Sequence, residues 1–337
     1  MRVLLLVNAS ASAVTARARV VIQKALSADH EVQVAETRRR GHATRLAQGA
    51  AAEGVDAVVV LGGDGTLNEA ANGLAGTGTA LGVLPGGSTN VLARTIGMTN
   101  DPVEATGELL ASLAGGRICP IPLGQVNGRY FLFHLGAGFD AAVVAEVEKR
   151  ARAKRYLGAA VFVTAALTTW APGLGRPRTS FSVEGTVGGP GRYACGAGSA
   201  RPPGSRDLPG VEGFDGVFAI CLNTGPYTYL GPRPLDLLPG LRLGDGLGLV
   251  VFGSVGLPTL LGVTGAALRG RPRPLAGFRW VRAERGLAQV ELVSRDSLPY
   301  QVDGDYAGEA EHLVIRQVPD ALRLVLPFDT GAEPLRC

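Results

Sequence analysis

A buried strand that leads directly into a glycine-rich loop and then into a helix is the feature that most restricts how this chain can fold. Residues 55–61 are mostly Val and Leu, which is typical of a parallel strand covered on both faces. The loop and the start of the helix read Gly-Gly-Asp-Gly-Thr-Leu-Asn-Glu over residues 62–69. Its glycines allow positive φ angles and let backbone N–H groups approach a ligand, while Thr66 and Glu69 have capping-box spacing. The pattern predicts an anion, such as a phosphate, at the helix N-terminus.

Asp64 places an acid where a phosphate is expected. The two negative groups repel each other unless a cation lies between them or a hydrogen-bond donor binds the acid. Mg²⁺ is commonly held by one or two carboxylates together with waters and substrate phosphates. We therefore interpret Asp64 as a sign of a magnesium requirement. A structural loop whose Asp only caps a turn is the alternative, and the run Gly-Gly-Asp-Gly-Thr favours the phosphate site.

A second loop of the same kind follows one short strand later. The apolar residues 81–84 lead into Pro-Gly-Gly-Ser-Thr-Asn over residues 85–90. Ser88 and Thr89 offer hydroxyl groups, Asn90 can cap, and Arg94 lies one turn into the next helix, within reach of an anion. Such a sequence is also ordinary turn chemistry. Its closeness to the first loop favours a shared phosphate site.

The first third of the chain repeats a strand, a loop and a helix, which predicts a parallel α/β sheet. The predicted strands are residues 3–7, 32–35, 55–61 and 81–84, with helices near 14–26 and at 42–52. Ligands of such sheets bind at the carboxyl ends of the strands, where Asn8, Thr37 and Ser88 also fall. After about residue 124, shorter β-rich runs such as 130–135 alternate with dense Gly and Pro. They predict a second, mainly antiparallel β domain.

Several ordered motifs resemble the diacylglycerol kinase catalytic domain family, which includes bacterial soluble lipid kinases, sphingosine kinases and ceramide kinases. The matching stretches are residues 36–37 with 41–43, 62–74, 85–94 with Gly97, 136–140 with 154–158, Asn223, 244–246 and 301–305. The resemblance implies a Rossmann-like nucleotide-binding α/β domain over residues 1–124. A β-sandwich domain for the lipid acceptor follows over 125–337, with the nucleotide between the two and the last residues packing back on the first domain.

The resemblance also implies a reaction: transfer of the γ-phosphate of ATP, with Mg²⁺, to a hydroxyl of a diacylglycerol-like or sphingoid lipid. It implies phospholipid metabolism in the cytoplasm, with peripheral contact at the inner face of the membrane. A homodimer stays open. Soluble kinases of the NAD kinase or phosphofructokinase type share the Gly-Gly-Asp-Gly-Thr loop and are the enzyme alternative. A non-catalytic nucleotide or lipid sensor on the same fold is the other.

The residues expected to act fall into three sets. Asp303 matches the general base of the family and is a catalytic candidate together with Asp64; the Asp-Gly pair at 303–304 also predicts a hairpin turn. A family magnesium site matches the carboxylate of Asp245 and the carbonyls of Arg242 and Leu247, with Gly244 in place of a second acid. The residues expected to bind nucleotide are Asn8, Thr37, Gly62, Gly63, Asp64, Gly65, Thr66, Leu67, Asn68, Glu69 and Ser88.

The charge and the cysteine content of the chain limit the kinds of partner and metal that we expect it to bind. A net charge of +4, without alternating basic and aromatic residues, gives no reason to expect nucleic-acid binding. The four cysteines are widely spaced, which predicts neither a zinc site nor a disulfide framework and fits a reducing cytosol. They are Cys119, Cys195, Cys221 and Cys337.

Three stretches are open to a membrane or anion interpretation. Residues 247–268 carry no charge and are long enough to span a bilayer, but Pro258 and five glycines favour a strand, a turn and a short helix. The helix predicted at 141–170 has a basic cluster at 149–155, which is either a solvated end or a contact with anionic lipid. The arginines at 38–40 have two interpretations as well: they belong to a solvated loop, or they contact the phosphates of the nucleotide.

Overall fold

The computed structural model describes residues 1–138, 180–187, 214–254 and 280–328. The chain forms two compact units, Met1–Leu123 with Val318–Cys337, and Gly124–Gln317. The helix predicted at 141–170, with its basic cluster, lies outside the described residues, as does most of the Gly/Pro-rich segment at 172–216.

The elements follow the chain in one series. The helices are α1 Ala16–Asp29, α2 His42–Ala52, α3 Asp64–Leu74, α4 Val91–Thr95 and α5 Pro102–Ala114. The strands are β1 Arg2–Val7, β2 Glu31–Glu36, β3 Ala57–Gly62, β4 Ala80–Pro85, β5 Ile118–Val126, β6 Arg129–Phe131, β7 His134–Gly138, β8 Phe181–Val187, β9 Asp215–Gly216, β10 Phe218–Leu222, β11 Thr228–Leu230, β12 Arg233–Leu235, β13 Leu247–Phe252, β14 Val281–Val302 and β15 Asp305–Val325.

The first unit is built on a parallel sheet in the order β2-β1-β3-β4. The end of β15 extends it, because Arg323 and Leu324 pair in parallel with the start of β4. All six residues of β3 and of β4 are buried, as the Val- and Leu-rich sequence predicts. Helix α5 begins where the sequence signals it, with Pro102 in the first turn and the Asp101 side chain accepting the amides of Val103 and Glu104.

The second unit is antiparallel. Its strands pair in the order β13-β10-β7-β14, and the long β14 also pairs with β13, β8 and β15. Strands β5 and β6 form a hairpin, and β11 and β12 form a separate pair. Buried side chains form one cluster around Phe131 and Phe181 and another around Phe218 and Phe252. A parallel α/β unit followed by antiparallel β structure confirms the predicted fold class.

The β-rich run at residues 130–135 forms parts of two strands and not one, because β6 ends at Phe131 and β7 begins at His134. The amides of Leu132 and Phe133 donate to the Asp303 carboxylate, so they are not available to a strand ladder. An alternating sequence does not reveal such a side-chain acceptor, which lies more than 160 residues away along the chain.

Two further expectations concern the cysteines and the membrane. Cys119 is disulfide-bonded, although the spacing of the cysteines predicts no disulfide framework. Cys221 is a free, buried thiol. In the described part of the chain no helix is long and apolar enough to cross a membrane. Of the apolar stretch at 247–268, Leu247–Phe252 forms strand β13 and residues 255–268 lie outside the description.

Candidate functional site

Polar residues meet at the carboxyl ends of the parallel strands in the first unit. Asn8 follows β1, and its Nδ2 donates to Thr66 Oγ1 at 2.9 Å. The Oδ1 atom of Asn8 accepts from the amide and the hydroxyl of Ser10. Thr37 follows β2, and its amide donates to the carbonyl of Val7 at 2.9 Å. Three residues predicted to bind nucleotide thus lie at one edge of the sheet.

The two glycine-rich loops pack backbone against backbone. The amide of Gly86 donates to the carbonyl of Gly62 at 2.8 Å. A Cβ atom on Gly86 would lie 2.9 Å from Gly62 N and Cα, and one on Gly87 would lie 2.8 Å from Gly63 Cα. None of Gly62, Gly63 and Gly65 has a positive φ angle. Gly86 and Gly87 are therefore required for the close approach of the two loops, and the explanation of Gly62, Gly63 and Gly65 by positive φ angles is wrong.

Replacement of Gly86 by alanine is expected to lower the free energy of unfolding by about 1–3 kcal/mol, because the added methyl group overlaps backbone atoms that cannot rotate away. Urea unfolding measures the change. The matched control is Gly107→Ala in α5, where nothing lies within 4 Å of the new Cβ. That variant should gain stability, by up to about 1 kcal/mol, from helix propensity. Equal stability of the two variants would contradict the packing explanation.

Glu69 does not close a capping box on its own helix. Helix α3 begins at Asp64, with Gly63 as its N-cap, so Thr66 and Glu69 are both inside the helix and the predicted capping box is wrong. The Glu69 carboxylate instead accepts from the amides of Gly41 and Ala43, at 2.7 and 3.1 Å. Its side chain thereby holds the N-terminus of α2, which no spacing rule within one helix can predict.

Asp64 is bound by hydrogen-bond donors of the second loop. Its Oδ1 lies 3.4 Å from the amide of Leu92, at the start of α4. Burial raises the pKa of the Asp64 carboxyl, and hydrogen bonds from the amides of Val91, Leu92 and Asn90 oppose that rise. An acid can lie beside a phosphate if either a cation or a hydrogen-bond donor binds it. For Asp64 the structure provides hydrogen-bond donors.

The start of α3 presents backbone donors. The amides of Thr66 and Leu67 bond to the Gly63 carbonyl at 3.0 and 3.1 Å, whereas those of Asp64 and Gly65 have no partner within the helix. The helix dipole adds a partial positive charge at this end. The side chains of Leu67 and Asn68 are buried and Ser88 is exposed. The helix end can therefore bind an anion through main-chain groups.

Asn90 fixes the shape of the second loop, a role that its predicted capping function only partly describes. It adopts a left-handed conformation, with φ of 50°, and makes no side-chain cap to α4. Its Oδ1 accepts from the amide of Gly87, and its Nδ2 donates to the carbonyl of Gly87 and to Asn100 Oδ1. Asn is the residue other than Gly that best tolerates this backbone conformation, which is the signal that sequence offers.

Asp303 lies in the second unit, in the two-residue loop between β14 and β15. Asp303 and Gly304 have φ angles of 49° and 82°, and Val302 pairs with Asp305, which confirms the predicted Asp-Gly hairpin turn. The carboxylate accepts the amides of Leu132, Phe133 and His134 at 2.7, 2.9 and 3.0 Å. Three charge-assisted hydrogen bonds hold it in one orientation.

His134 adds a buried imidazole next to this turn. Its carbonyl accepts the amide of Asp303, and its ring lies 4.4 Å from the ring of Tyr227. Among the described residues, its Nδ1 atom has no hydrogen-bond partner. Burial lowers the pKa of the His134 imidazole to about 3, so the ring is neutral at physiological pH. No motif in the sequence predicts a role for this histidine.

Comparison with known proteins agrees with the geometry of both units. The family model described as the diacylglycerol kinase catalytic domain matches residues 2–126. A Pseudomonas aeruginosa protein named "Probable lipid kinase YegS-like" is 32% identical over 95% of this chain and 91% of its own. The chain belongs to the diacylglycerol kinase family.

Other members differ in how much of the chain they match. A diacylglycerol kinase of Bacillus subtilis is 38% identical over 35% of this chain, a match that spans 39% of its own length. Two Bacillus anthracis crystal structures described as diacylglycerol kinases each cover 97% of this chain, and 95% and 97% of their own. Their TM-scores are 0.69 and 0.62 at 22% and 20% identity, which shows a common fold.

Two of the three residues predicted to hold magnesium, Arg242 and Asp245, are hydrogen-bonded to each other in a tight turn, and the third, Leu247, begins β13. The amide of Asp245 donates to the Arg242 carbonyl at 3.1 Å, and the Asp245 Oδ2 accepts the Arg242 amide at 2.8 Å. No group of three or more His, Cys, Asp or Glu residues that could hold a metal occurs among the described residues. Mg²⁺ is commonly held by one or two carboxylates with waters, so a set of one carboxylate and two backbone carbonyls completed by waters needs no such group, and the magnesium site stays a prediction.

Proposed function

We propose that this member of the diacylglycerol kinase family is an ATP-dependent lipid kinase. It transfers the γ-phosphoryl group to a hydroxyl of a diacylglycerol-like or sphingoid lipid. The observation that carries the proposal is the Asp303 carboxylate, oriented by three backbone amides, in a chain whose other unit offers a helix N-terminus beside two glycine loops. Lipid contact at the inner face of the membrane follows from the acceptor.

The nucleotide is proposed to bind in the first unit through main-chain donors at the start of α3. Phosphate oxygens accept hydrogen bonds from amides at a helix N-terminus without any side-chain charge. Thr66 assists, because its Oγ1 already accepts from Asn8 and its own hydrogen can donate to a phosphate. Thr37 and Ser88 are further candidates for contact. The magnesium that ATP carries arrives with the substrate.

Asp303 is proposed as the general base. It accepts the proton of the lipid hydroxyl as the oxygen bonds to the γ-phosphorus and the bond from that phosphorus to the β-phosphate oxygen breaks, which releases ADP. Fixed backbone donors keep the carboxylate oriented without a reorganisation cost during the reaction. Asp64 has a supporting part, since it links the first loop to the second through residues 90–92.

Transfer of labelled γ-phosphate from magnesium ATP to acceptors in mixed micelles tests the proposal. The panel contains a diacylglycerol, a sphingoid base, a ceramide, and the soluble acceptors NAD and fructose 6-phosphate. A labelled lipid is the expected product. Labelling of a soluble acceptor would move the function to the other kinase class, and nucleotide binding without transfer would indicate a sensor. Sedimentation with anionic vesicles measures the expected membrane contact.

A further inference from the structure

A three-residue segment, formed by the two residues between β6 and β7 and the first residue of β7, is held from two sides. Asp303 accepts the amides of Leu132, Phe133 and His134. Asn223 donates hydrogen bonds to two carbonyls of the same segment. Its side-chain Nδ2 donates to the carbonyl of Leu132 at 3.1 Å, and its backbone amide donates to the carbonyl of Phe133 at 2.7 Å. One segment thus connects the two polar side chains.

The orientation of the Asn223 amide follows from its partners. The carbonyl of Leu132 can only accept, so the NH₂ group of Asn223 must face it. The Oδ1 atom then faces the other way and accepts from Gln317 Nε2 at 3.1 Å. The side chain of Asn223 is completely buried, so these bonds are not exchanged with water.

We infer that Asn223 is a positioning residue for Asp303, acting through residues 132–134, and that Gln317 fixes the orientation of Asn223. The role of Asn223 in the reaction rests on the proposed function; its control over the segment does not. If Leu132 loses its donor, its carbonyl must turn to find another, and the peptide plane that presents the Phe133 amide to Asp303 turns with it. The carboxylate then loses one of the three donors that orient it.

Two variants test this inference. Asn223→Asp keeps the volume of the side chain and its acceptor for Gln317 but removes the donor to Leu132. Gln317→Leu keeps the donor to Leu132 but removes the hydrogen bond that fixes the orientation of the Asn223 side chain. It is the deciding variant if Asn223→Asp does not fold. The matched control is Thr79→Val in the first unit, which also removes a buried side-chain donor to a carbonyl, that of Val55.

The first readout is hydrogen–deuterium exchange of peptides that contain residues 131–134 in the full chain. We expect exchange there to become at least tenfold faster in Asn223→Asp, with no change in peptides of the first unit and no change in Thr79→Val. Unchanged exchange at 131–134 overturns the inference. This readout remains decisive if the wild-type protein phosphorylates none of the acceptors, in which case the proposed function fails and not the positioning.

The second readout separates kcat from KM. Misplacement of a reacting group by a fraction of an ångström is expected to lower kcat about 10- to 100-fold, while the KM for ATP stays within about twofold. A variant that raises the KM for ATP without lowering kcat, or a loss of kcat matched by Thr79→Val, overturns the inference.

Discussion

Replacement of Asp303 by asparagine is expected to lower kcat for lipid phosphorylation by about 10²- to 10⁴-fold, the range found for loss of a general base. The carboxamide cannot take up the proton of the acceptor hydroxyl. It also turns an NH₂ group toward at least one of the amides that now donate to the carboxylate. Steady-state kinetics at saturating magnesium ATP measure the loss, and the KM for ATP should stay within about threefold.

The matched control is Asp305→Asn, two residues further along the same hairpin and likewise half-buried. It is expected to keep at least about a third of the wild-type kcat, because its carboxylate does not accept the amides of residues 132–134. Urea unfolding of both variants separates a chemical defect from a folding defect. Asp303→Asn with a third or more of the wild-type kcat would show that Asp303 only holds the turn.

Acidification from pH 7 to 4.5 is expected to cost the protein about 3 kcal/mol of stability through His134 alone. Burial lowers the pKa of the His134 imidazole from 6.5 to about 3. Between these two values the unfolded chain binds a proton that the folded protein does not bind, so acid favours unfolding. Above pH 6.5 the neutral His134 does not reduce the stability of the folded protein. As the pH falls from 6.5 toward 3, stability is lost progressively.

His134→Phe tests this prediction, because phenylalanine keeps an aromatic ring against Tyr227 but does not titrate. Urea unfolding at several pH values should show wild type losing stability relative to the variant below pH 6.5. Above pH 7 the difference between the two proteins should be constant, which provides the internal control. Parallel stability curves of the two proteins down to pH 4 would exclude a buried, neutral imidazole.

The sequence predicted most reliably what depends on local pattern. Continuous apolar runs identified the parallel strands because a strand covered on both faces needs no polar alternation. The Asp303-Gly304 pair identified a hairpin because both residues need positive φ angles, which Asp tolerates and Gly prefers. Family motifs added the family to which the chain belongs, which no single segment specifies.

What the sequence did not predict depends on partners that are distant along the chain. Glu69 has the right spacing for a capping box, yet its partners are the amides of residues 41 and 43. Strand β6 ends at Phe131 because Asp303 takes the amides that follow. The glycines of the first loop were explained by positive φ angles, which they do not have, whereas the close contact between the loops depends on Gly86 and Gly87 of the second loop. In each case the explanation used a rule about residues close together in sequence, whereas the structure forms a contact between residues far apart along the chain.

The parallel sheet of the first unit has a consequence for synthesis of the chain. The edge of β4 pairs with residues 323–324 of β15, more than 240 residues after β4 itself. The ribosome therefore synthesises β1 to β4 long before β15. During that interval the apolar edge of β4 is open to pairing with other chains. Expression of residues 1–123 alone should give an aggregation-prone fragment, because the parallel sheet of the first unit is completed by β15.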